Sequence, residues 1–260
     1  MTGLLDGAVA VVTGGASGIG PAICTRFAEQ GARAVVVADL REEPREGGDP
    51  TVELVRRAGA EAVFVGVDVR RPGDAERAVA AAEEFGGVDA LVTAAGVIRL
   101  EDVLDVDEAA YDHVMDVNAK GTFFTAQAAG RRMAARQETG RGSGAMVLIS
   151  STGGLKGVPG STVYSMSKGA VKLLAYSLAA ELGPHGVRVN ALHPGLTSTE
   201  MTRTDLGRVD TGSPSQTRIP LGRFAVPTDI ADAAVFLSSP MAAFMNGSSL
   251  VVDGGSTSAS

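Results

Sequence analysis

Short runs of apolar residues alternate with longer, periodically apolar segments from one end of this chain to the other. The first four runs are "AVAVVTG" from Ala8, "AVVVAD" from Ala34, "AVFVGVDV" from Ala62 and "DALVTAAG" from Asp89. "AMVLISS" from Ala145, "VRVNALHPG" from Val187 and "SLVVDGG" from Ser249 follow. Most are continuously apolar instead of alternating, which predicts strands covered on both faces in a parallel sheet. Between them, Pro21–Gln30, Asp74–Phe85 and Glu108–Arg136 read as helices. Another helix is predicted over Val163–Leu182, with apolar residues at Val163, Met166, Ala170, Val171, Leu174 and Leu178 and a stop at Gly183-Pro184. Strand–helix–strand repetition implies right-handed crossovers and an α/β, doubly wound sheet. No shift in composition marks a second domain, so residues 1–260 are expected to form one.

Two segments break the rhythm. "REEPREGGDP" (Arg41–Pro50) is charged and rich in Pro and Gly, and reads as a solvated loop after the second strand; its purpose is not legible. Residues 196–220 are long, polar and weakly periodic. A loop of that length inside a compact domain is either functional or disordered. It follows a strand's carboxyl end, where doubly wound sheets bind ligands, which favours a lid over the substrate.

Composition narrows the classes. The chain is 45% hydrophobic and 20% charged, as in a globular protein with ample core, and its net charge of -7 argues against a nucleic-acid surface. No run approaches the ~20 apolar residues of a membrane span, and no signal peptide is evident, so a cytoplasmic location is expected. The single cysteine, Cys24, excludes an internal disulfide and reads as a buried, inert thiol. His113, His185 and His193 are too dispersed for a metal triad, and no metal site is expected.

"VVTGGASGIGPAIC" places Gly14, Gly18 and Gly20 between the first strand and first helix, with Ser17 and Ile19 in the same turn. Glycines permit a tight turn and let backbone amides approach a pyrophosphate at the helix N-terminus. Asp39 ends the next strand 19 residues beyond Gly20. A carboxylate there accepts ribose hydroxyls and repels a 2′-phosphate, which favours NAD over NADP; a plain strand-end turn former is the competing reading.

"YSMSK" puts Tyr164 and Lys168 one helical turn apart on the same face, downstream of Ser151 at the end of "ISS". A free tyrosine titrates near ~10, and a neighbouring ammonium, helped by the positive nicotinamide, is expected to lower that value and make the phenol a usable acid/base. In isolation Tyr-x-x-x-Lys is an ordinary surface pair. The ordered set "TGGASGIG", Asp68-Val69, "AAG" ending at Gly96, Asn118 in "DVNAKGTFF", "ISS", "YSMSK", "HPG" at His193–Gly195 and "VDGG" at Asp253 is different. Together these motifs closely resemble the short-chain dehydrogenase/reductase family of the shorter, NAD(P)-dependent type, over essentially the whole chain.

The resemblance implies a seven-stranded Rossmann sheet flanked by helices. Tyr164 would be the catalytic acid/base, Lys168 would bind the nicotinamide ribose and lower the Tyr pKa, and Ser151 would orient the substrate oxygen. Asn118 would hold a water continuing a proton relay from Lys168. Asp68 and Val69 would contact the adenine, Ala95 and Gly96 would line the cofactor, and the Pro194–Thr199 loop, with Gly195 and Thr197, would bracket the carboxamide. A homotetramer, or a homodimer, is implied as well. The family often has Asn-Asn-Ala-Gly where this chain has Thr93-Ala94-Ala95-Gly96; the missing amides are expected to weaken a bracing contact of the central sheet.

Other residues leave alternatives open. His193 could touch substrate or only pack; Arg203, Arg208 and Arg218 could meet an anion or be solvated; Arg223 looks structural. Leu155, Val158, Met201 and Leu206 could wall a substrate pocket or merely anchor loops. The expected activity is hydride transfer between NAD(H) and a secondary alcohol or ketone: a sugar, polyol, steroid-like alcohol or polyketide ketone. The alternatives are an NADPH-dependent 3-oxoacyl-carrier or polyketide ketoreductase, which Asp39 opposes, and a non-catalytic dinucleotide-binding scaffold. A methyltransferase on a similar sheet would leave Tyr164 and Lys168 unexplained.

Overall fold

The structure, a computed structural model, describes residues 3–138, 144–204 and 219–258. Seven strands form one parallel sheet in the order β3-β2-β1-β4-β5-β6-β7. Its first half runs β1 (Val9–Thr13), α1 (Gly20–Glu29), β2 (Ala34–Asp39), α2 (Thr51–Arg57), β3 (Glu61–Gly66), α3 (Pro72–Ala80) and β4 (Ala90–Thr93). The second half runs α4 (Glu108–Met115), α5 (Gly121–Glu138), β5 (Ala145–Ile149), α6 (Thr162–Leu182), β6 (Arg188–Pro194), α7 (Glu200–Thr204), α8 (Pro227–Ser238) and β7 (Ser249–Val252). The strand order reverses between β1 and β4, and the crevice beyond their carboxyl ends is where such sheets take ligands.

The continuous apolar runs have a direct cause. Alternate strand residues serve opposite cores: Ala10, Val12, Val35 and Val37 pack with Ile23 and Phe27 of α1 and Ile230 and Ala234 of α8. Val9, Val11, Val36 and Leu91 pack instead with Val79 of α3, Met133 of α5 and Val171 and Ala175 of α6. Both pleat faces therefore need apolar side chains, and alternation vanishes from the sequence.

Helix α6 departs from the expected stripe. Its buried residues are Ser167, Lys168, Val171, Ala175 and Ala179, whereas Met166 is 44% exposed and Ala170 is exposed. The inward face carries two polar residues whose hydrogen bonds are made inside, so hydrophobicity alone mis-phases the helix. The long segment predicted over Glu108–Arg136 is also not one helix: a π-helical turn, Asp116–Lys120, separates α4 from α5 and carries Asn118. Residues 205–218 of the expected lid, including Leu206 and Arg208, and Arg218 with them, lie outside the described residues. The lid's beginning makes a parallel bridge from Thr197 to Ala225, beyond the lid, and then folds into α7.

At Thr93, the first residue of the unusual Thr-Ala-Ala-Gly, the side chain is 2% exposed and its hydroxyl has no hydrogen-bond partner among the described residues. An orphaned buried hydroxyl costs about 1–3 kcal/mol. Thr93→Val keeps the shape and removes the hydroxyl, so the variant should be more stable by about 1 kcal/mol in urea unfolding at unchanged slope.

Candidate active site

The glycine turn is shaped by close approach. Gly14 and Gly18 have positive φ of 66° and 70°. A Cβ on Gly20 would stand 1.9 Å from the Gly14 carbonyl oxygen, and one on Gly14 would stand 2.5 Å from the Ala95 amide nitrogen. Only glycine fits either position. Gly18 is different: its nearest neighbour would be the Thr199 methyl at 4.0 Å, so that side of the turn is open and faces the loop after β6. The Ser17 and Ile19 amides make no hydrogen bond among the described residues, and Ile19 stands at the N-cap of α1. Open space, free amides and a helix N-terminus together fit an anionic pyrophosphate.

Asp39 turns its carboxylate onto the turn, accepting from the Ala16 amide at 3.0 Å and from its neighbour Leu40 at 2.7 Å. Burial pushes its pKa up, while those amides and the Arg45 and Arg41 guanidiniums pull it back. Asp68 is held by Arg70 through contacts as short as 2.6 Å, and its own amide donates to Asp74 at 2.9 Å. Val69 packs with Ala38, Ala95 and Val117.

The chemical end assembles where β4, β5 and α6 meet. Lys168 is 5% exposed; its Nζ donates to the Ile149 carbonyl at 3.0 Å, and its own carbonyl accepts from Ser150 Oγ at 2.8 Å. A Cβ on Gly96 would stand 3.3 Å from Lys168 Nζ and 3.4 Å from Asn118 Oδ1, so the glycine lets these groups converge. Asn118 is fully buried: it donates to the Val97 carbonyl and Ser167 Oγ, each at 2.9 Å, and accepts from the Val97 amide at 2.9 Å. Its side chain thus braces the loop after β4. Ser151 Oγ accepts from the Gly153 amide at 3.0 Å, and a Cβ on Gly153 would stand 3.5 Å from both Ser151 Oγ and the Tyr164 ring, so the two side chains converge there.

The expected lowering of the Tyr164 pKa is not found in the protein alone. Burial pushes the phenol up, and the nearby Ser151 hydroxyl pulls it only part of the way back. Lys168 lies 5.9 Å from the centre of the Tyr164 ring with its ammonium turned to Ile149, and burial drives its own pKa down to about 8.

His193 does not reach substrate space. It is fully buried, with Nδ1 3.0 Å from the Ser151 carbonyl and Nε2 2.8 Å from Ser249 Oγ. A carbonyl only accepts, so Nδ1 carries the proton and Nε2 accepts from Ser249, whose oxygen meets the Tyr176 hydroxyl at 2.7 Å. Burial lowers the His193 pKa, keeping the ring neutral as this chain requires. Ser151 is therefore anchored from behind through its own carbonyl, a contact that no sequence spacing reveals.

The loop after β6 completes the crevice. A Cβ on Gly195 would stand 2.7 Å from Asp253 Cβ, which seats Pro194 and Gly195 against the last turn of the chain. Thr197 Oγ1 donates to the Gly195 carbonyl at 3.1 Å, and Thr199 Oγ1 lies 3.2 Å from Thr202 Oγ1. Arg203 pairs with Glu200 at 3.3 Å, and Arg223 grips Asp229 at 2.6 and 3.0 Å, as its structural reading requires. Leu155, Val158 and Met201 are half-buried. Cys24 is buried, which raises its thiol pKa.

A family model described as "Enoyl-(Acyl carrier protein) reductase" matches residues 14–257. The chain is 40% identical over 253 residues to the L-rhamnose 1-dehydrogenase (NAD(P)(+)) of Azotobacter vinelandii, covering 97% of each. It is also 40% identical over 255 residues to the galactitol 2-dehydrogenase (L-tagatose-forming) of Cereibacter sphaeroides, covering 97% of this chain and 96% of that one. A solved structure from Agrobacterium tumefaciens, described as a candidate 2-deoxy-d-gluconate 3-dehydrogenase with bound NADP, is 37% identical with a TM-score of 0.86 over 98% of both chains. With the motifs in order, the crevice assembled and similarity running end to end, the chain belongs to the short-chain dehydrogenase/reductase family of oxidoreductases.

Proposed function

We propose that this oxidoreductase acts on a secondary alcohol or its ketone with NAD(H), using Tyr164 as the acid/base, Ser151 as the substrate-oxygen clamp and Lys168 as the cation beneath them. The observation that carries the reading is the convergence of the Ser151 hydroxyl and the Tyr164 side chain at Gly153, with the buried Lys168 ammonium 5.9 Å from the centre of the phenol ring. Two neighbouring hydroxyls can hold one substrate oxygen. When bound, the nicotinamide supplies the hydride acceptor or donor. In oxidation, the Tyr164 phenolate takes the hydroxyl proton; in reduction, the phenol returns it to the carbonyl oxygen. Because burial alone raises the Tyr164 pKa, the positive charge that makes the phenolate accessible has to come from Lys168 and the oxidised nicotinamide acting together.

Asn118 acts on this site by fixing Val97 and the turn of α6 at Ser167. The cofactor contacts we assign are Gly14, Ser17, Gly18, Ile19, Gly20 and Asp39 at the adenosine and pyrophosphate end. Asp68, Val69, Ala95 and Gly96 follow at the adenine and the crevice floor, and Pro194, Gly195, Thr197 and Thr199 at the carboxamide. The carboxylate of Asp39 supports NAD over NADP. Relatives named for L-rhamnose and galactitol support a sugar or polyol as substrate, and a panel of these with both cofactors, followed by absorbance of the reduced nicotinamide, tests that choice. Exposed apolar side chains on α5 and α6, Phe123 at 41% and Leu173 at 62%, support assembly of several copies, four in the reading we favour. No helix of the described residues is long and apolar enough to cross a membrane; a cytoplasmic setting is part of the same reading.

Tyr164→Phe should reduce turnover by about 10²–10⁴-fold, the range for a lost general acid/base, while dinucleotide affinity stays within a few-fold in fluorescence titration. The same titration on the wild type should give a lower Kd for NADH than for NADPH. Lys168 generates a stability prediction. Its pKa falls from 10.5 to about 8 on folding, so the folded state binds its proton less readily than the unfolded one. The resulting penalty is complete below pH ~8 and is relieved as pH rises towards 10.5. At about 1.4 kcal/mol per unit, less about 1 kcal/mol for the lost Ile149 hydrogen bond, Lys168→Met should stabilise the fold by roughly 2 kcal/mol at pH 7. Denaturation at pH 7 and pH 10 should show that gain shrinking at the higher pH, and the variant should be inactive at both.

A further inference from the structure

We propose that Glu46 is a specificity-determining residue: laid against the glycine turn beside Asp39, its carboxylate bars dinucleotides that carry a 2′-phosphate. The proposal rests on the reading of that turn as a dinucleotide site. Its basis is the seat of the Arg41–Pro50 segment. The Gly18 amide donates to Glu46 Oε1 at 2.6 Å, and the Arg45 amide donates to Ser17 Oγ at 2.9 Å. Two residues before Gly18, the Ala16 amide donates to Asp39 Oδ2 at 3.0 Å. Ser17 is thus flanked by two backbone amides, each already holding a carboxylate from this chain.

Amides of such a turn are the groups an anion takes. Here the chain supplies its own anions at the end where Asp39 meets the adenosine ribose. A plain ribose brings only hydroxyls to this place, and carboxylates accept from them. A 2′-phosphate brings close to two negative charges and no donor at neutral pH. It would meet Asp39 and Glu46 together, and the Gly18 amide that would otherwise receive it is engaged. The two guanidiniums of the segment, Arg41 and Arg45, sit close enough to act on the Asp39 carboxyl. With Glu46 present, two carboxylates oppose two guanidiniums; without it, one carboxylate faces both cations and an amide comes free. Glu42 and Glu43 make no hydrogen bond to the turn among the described residues, so the contact belongs to Glu46 alone.

The experiment compares Glu46→Gln, which removes the charge, and Glu46→Ala, which also frees the Gly18 amide, with the wild type as full chains. NADH and NADPH are titrated into each by fluorescence, with Asp39→Asn in parallel. Glu46 is exposed, so neither substitution opens the core. In both Glu46 variants the Kd for NADPH should fall about five- to tenfold, the repulsion of a dianion by one carboxylate across solvent, while that for NADH stays within twofold. An unchanged NADPH/NADH ratio in both variants, with NADH preferred by the wild type and the preference lost in Asp39→Asn, overturns the proposal and leaves the site reading intact. A wild type that binds NADPH as tightly as NADH overturns it as well. Failure of the wild type to bind either dinucleotide defeats the site reading and the proposal with it.

Discussion

A buried ammonium organises the site. Lys168 lies beneath the carboxyl ends of β4 and β5 with its Nζ on the Ile149 carbonyl, a position where water cannot solvate it. Such a charge is unfavourable unless neighbouring dipoles hold it. The surrounding residues are shaped around that requirement. Gly96 has no Cβ because one would crowd Nζ, and a Cβ on Gly154 would stand 2.7 Å from the Lys168 carbonyl carbon. Ser150 caps that same carbonyl. The lowered pKa of Lys168 reports that desolvation.

The sheet supplies the rest by geometry. In a parallel sheet all carboxyl ends lie on one edge, so residues far apart in sequence meet there without long loops. Gly14 against Ala95 and Gly96 against Lys168 are two such meetings. The first joins the turn after β1 to the loop after β4, the second joins that loop to α6, and each is set at a glycine, where backbone can meet backbone or side chain without a Cβ between them.

Much of this was legible in the residues. The apolar runs marked the strands because both cores claim them, and the glycine turn, Asp39, Ser151, Tyr164 and Lys168 all occupy the expected edge. What failed to show in the sequence has physical reasons. Helix α6 was mis-phased because its inward face includes Ser167 and Lys168, polar residues satisfied by Asn118 and Ile149, partners remote in sequence. The π turn at Asn118 leaves no compositional trace. Burial sets the direction of the Tyr164 shift, and spacing along a helix contains no information about burial depth. Arg41–Pro50 read as solvated, and most of it is; its two contacts with the turn depend on where the chain bends back.

The features that resisted reading share one character: polar groups whose partners are backbone atoms of distant segments. Asn118 on Val97, His193 on the Ser151 carbonyl, Lys168 on Ile149 and Glu46 on Gly18 all follow this pattern. Backbone amides and carbonyls are identical at every position, so residue identity at one end of such a bond says nothing of the other. Side-chain pairs leave a signature at both ends, as Arg223 and Asp229 do. A site fixed by side chain-to-backbone bonds is therefore rigid in the fold and silent in the sequence. Its backbone partners persist through side-chain substitution, so the outer surface of such a crevice can vary while its reacting groups remain in place.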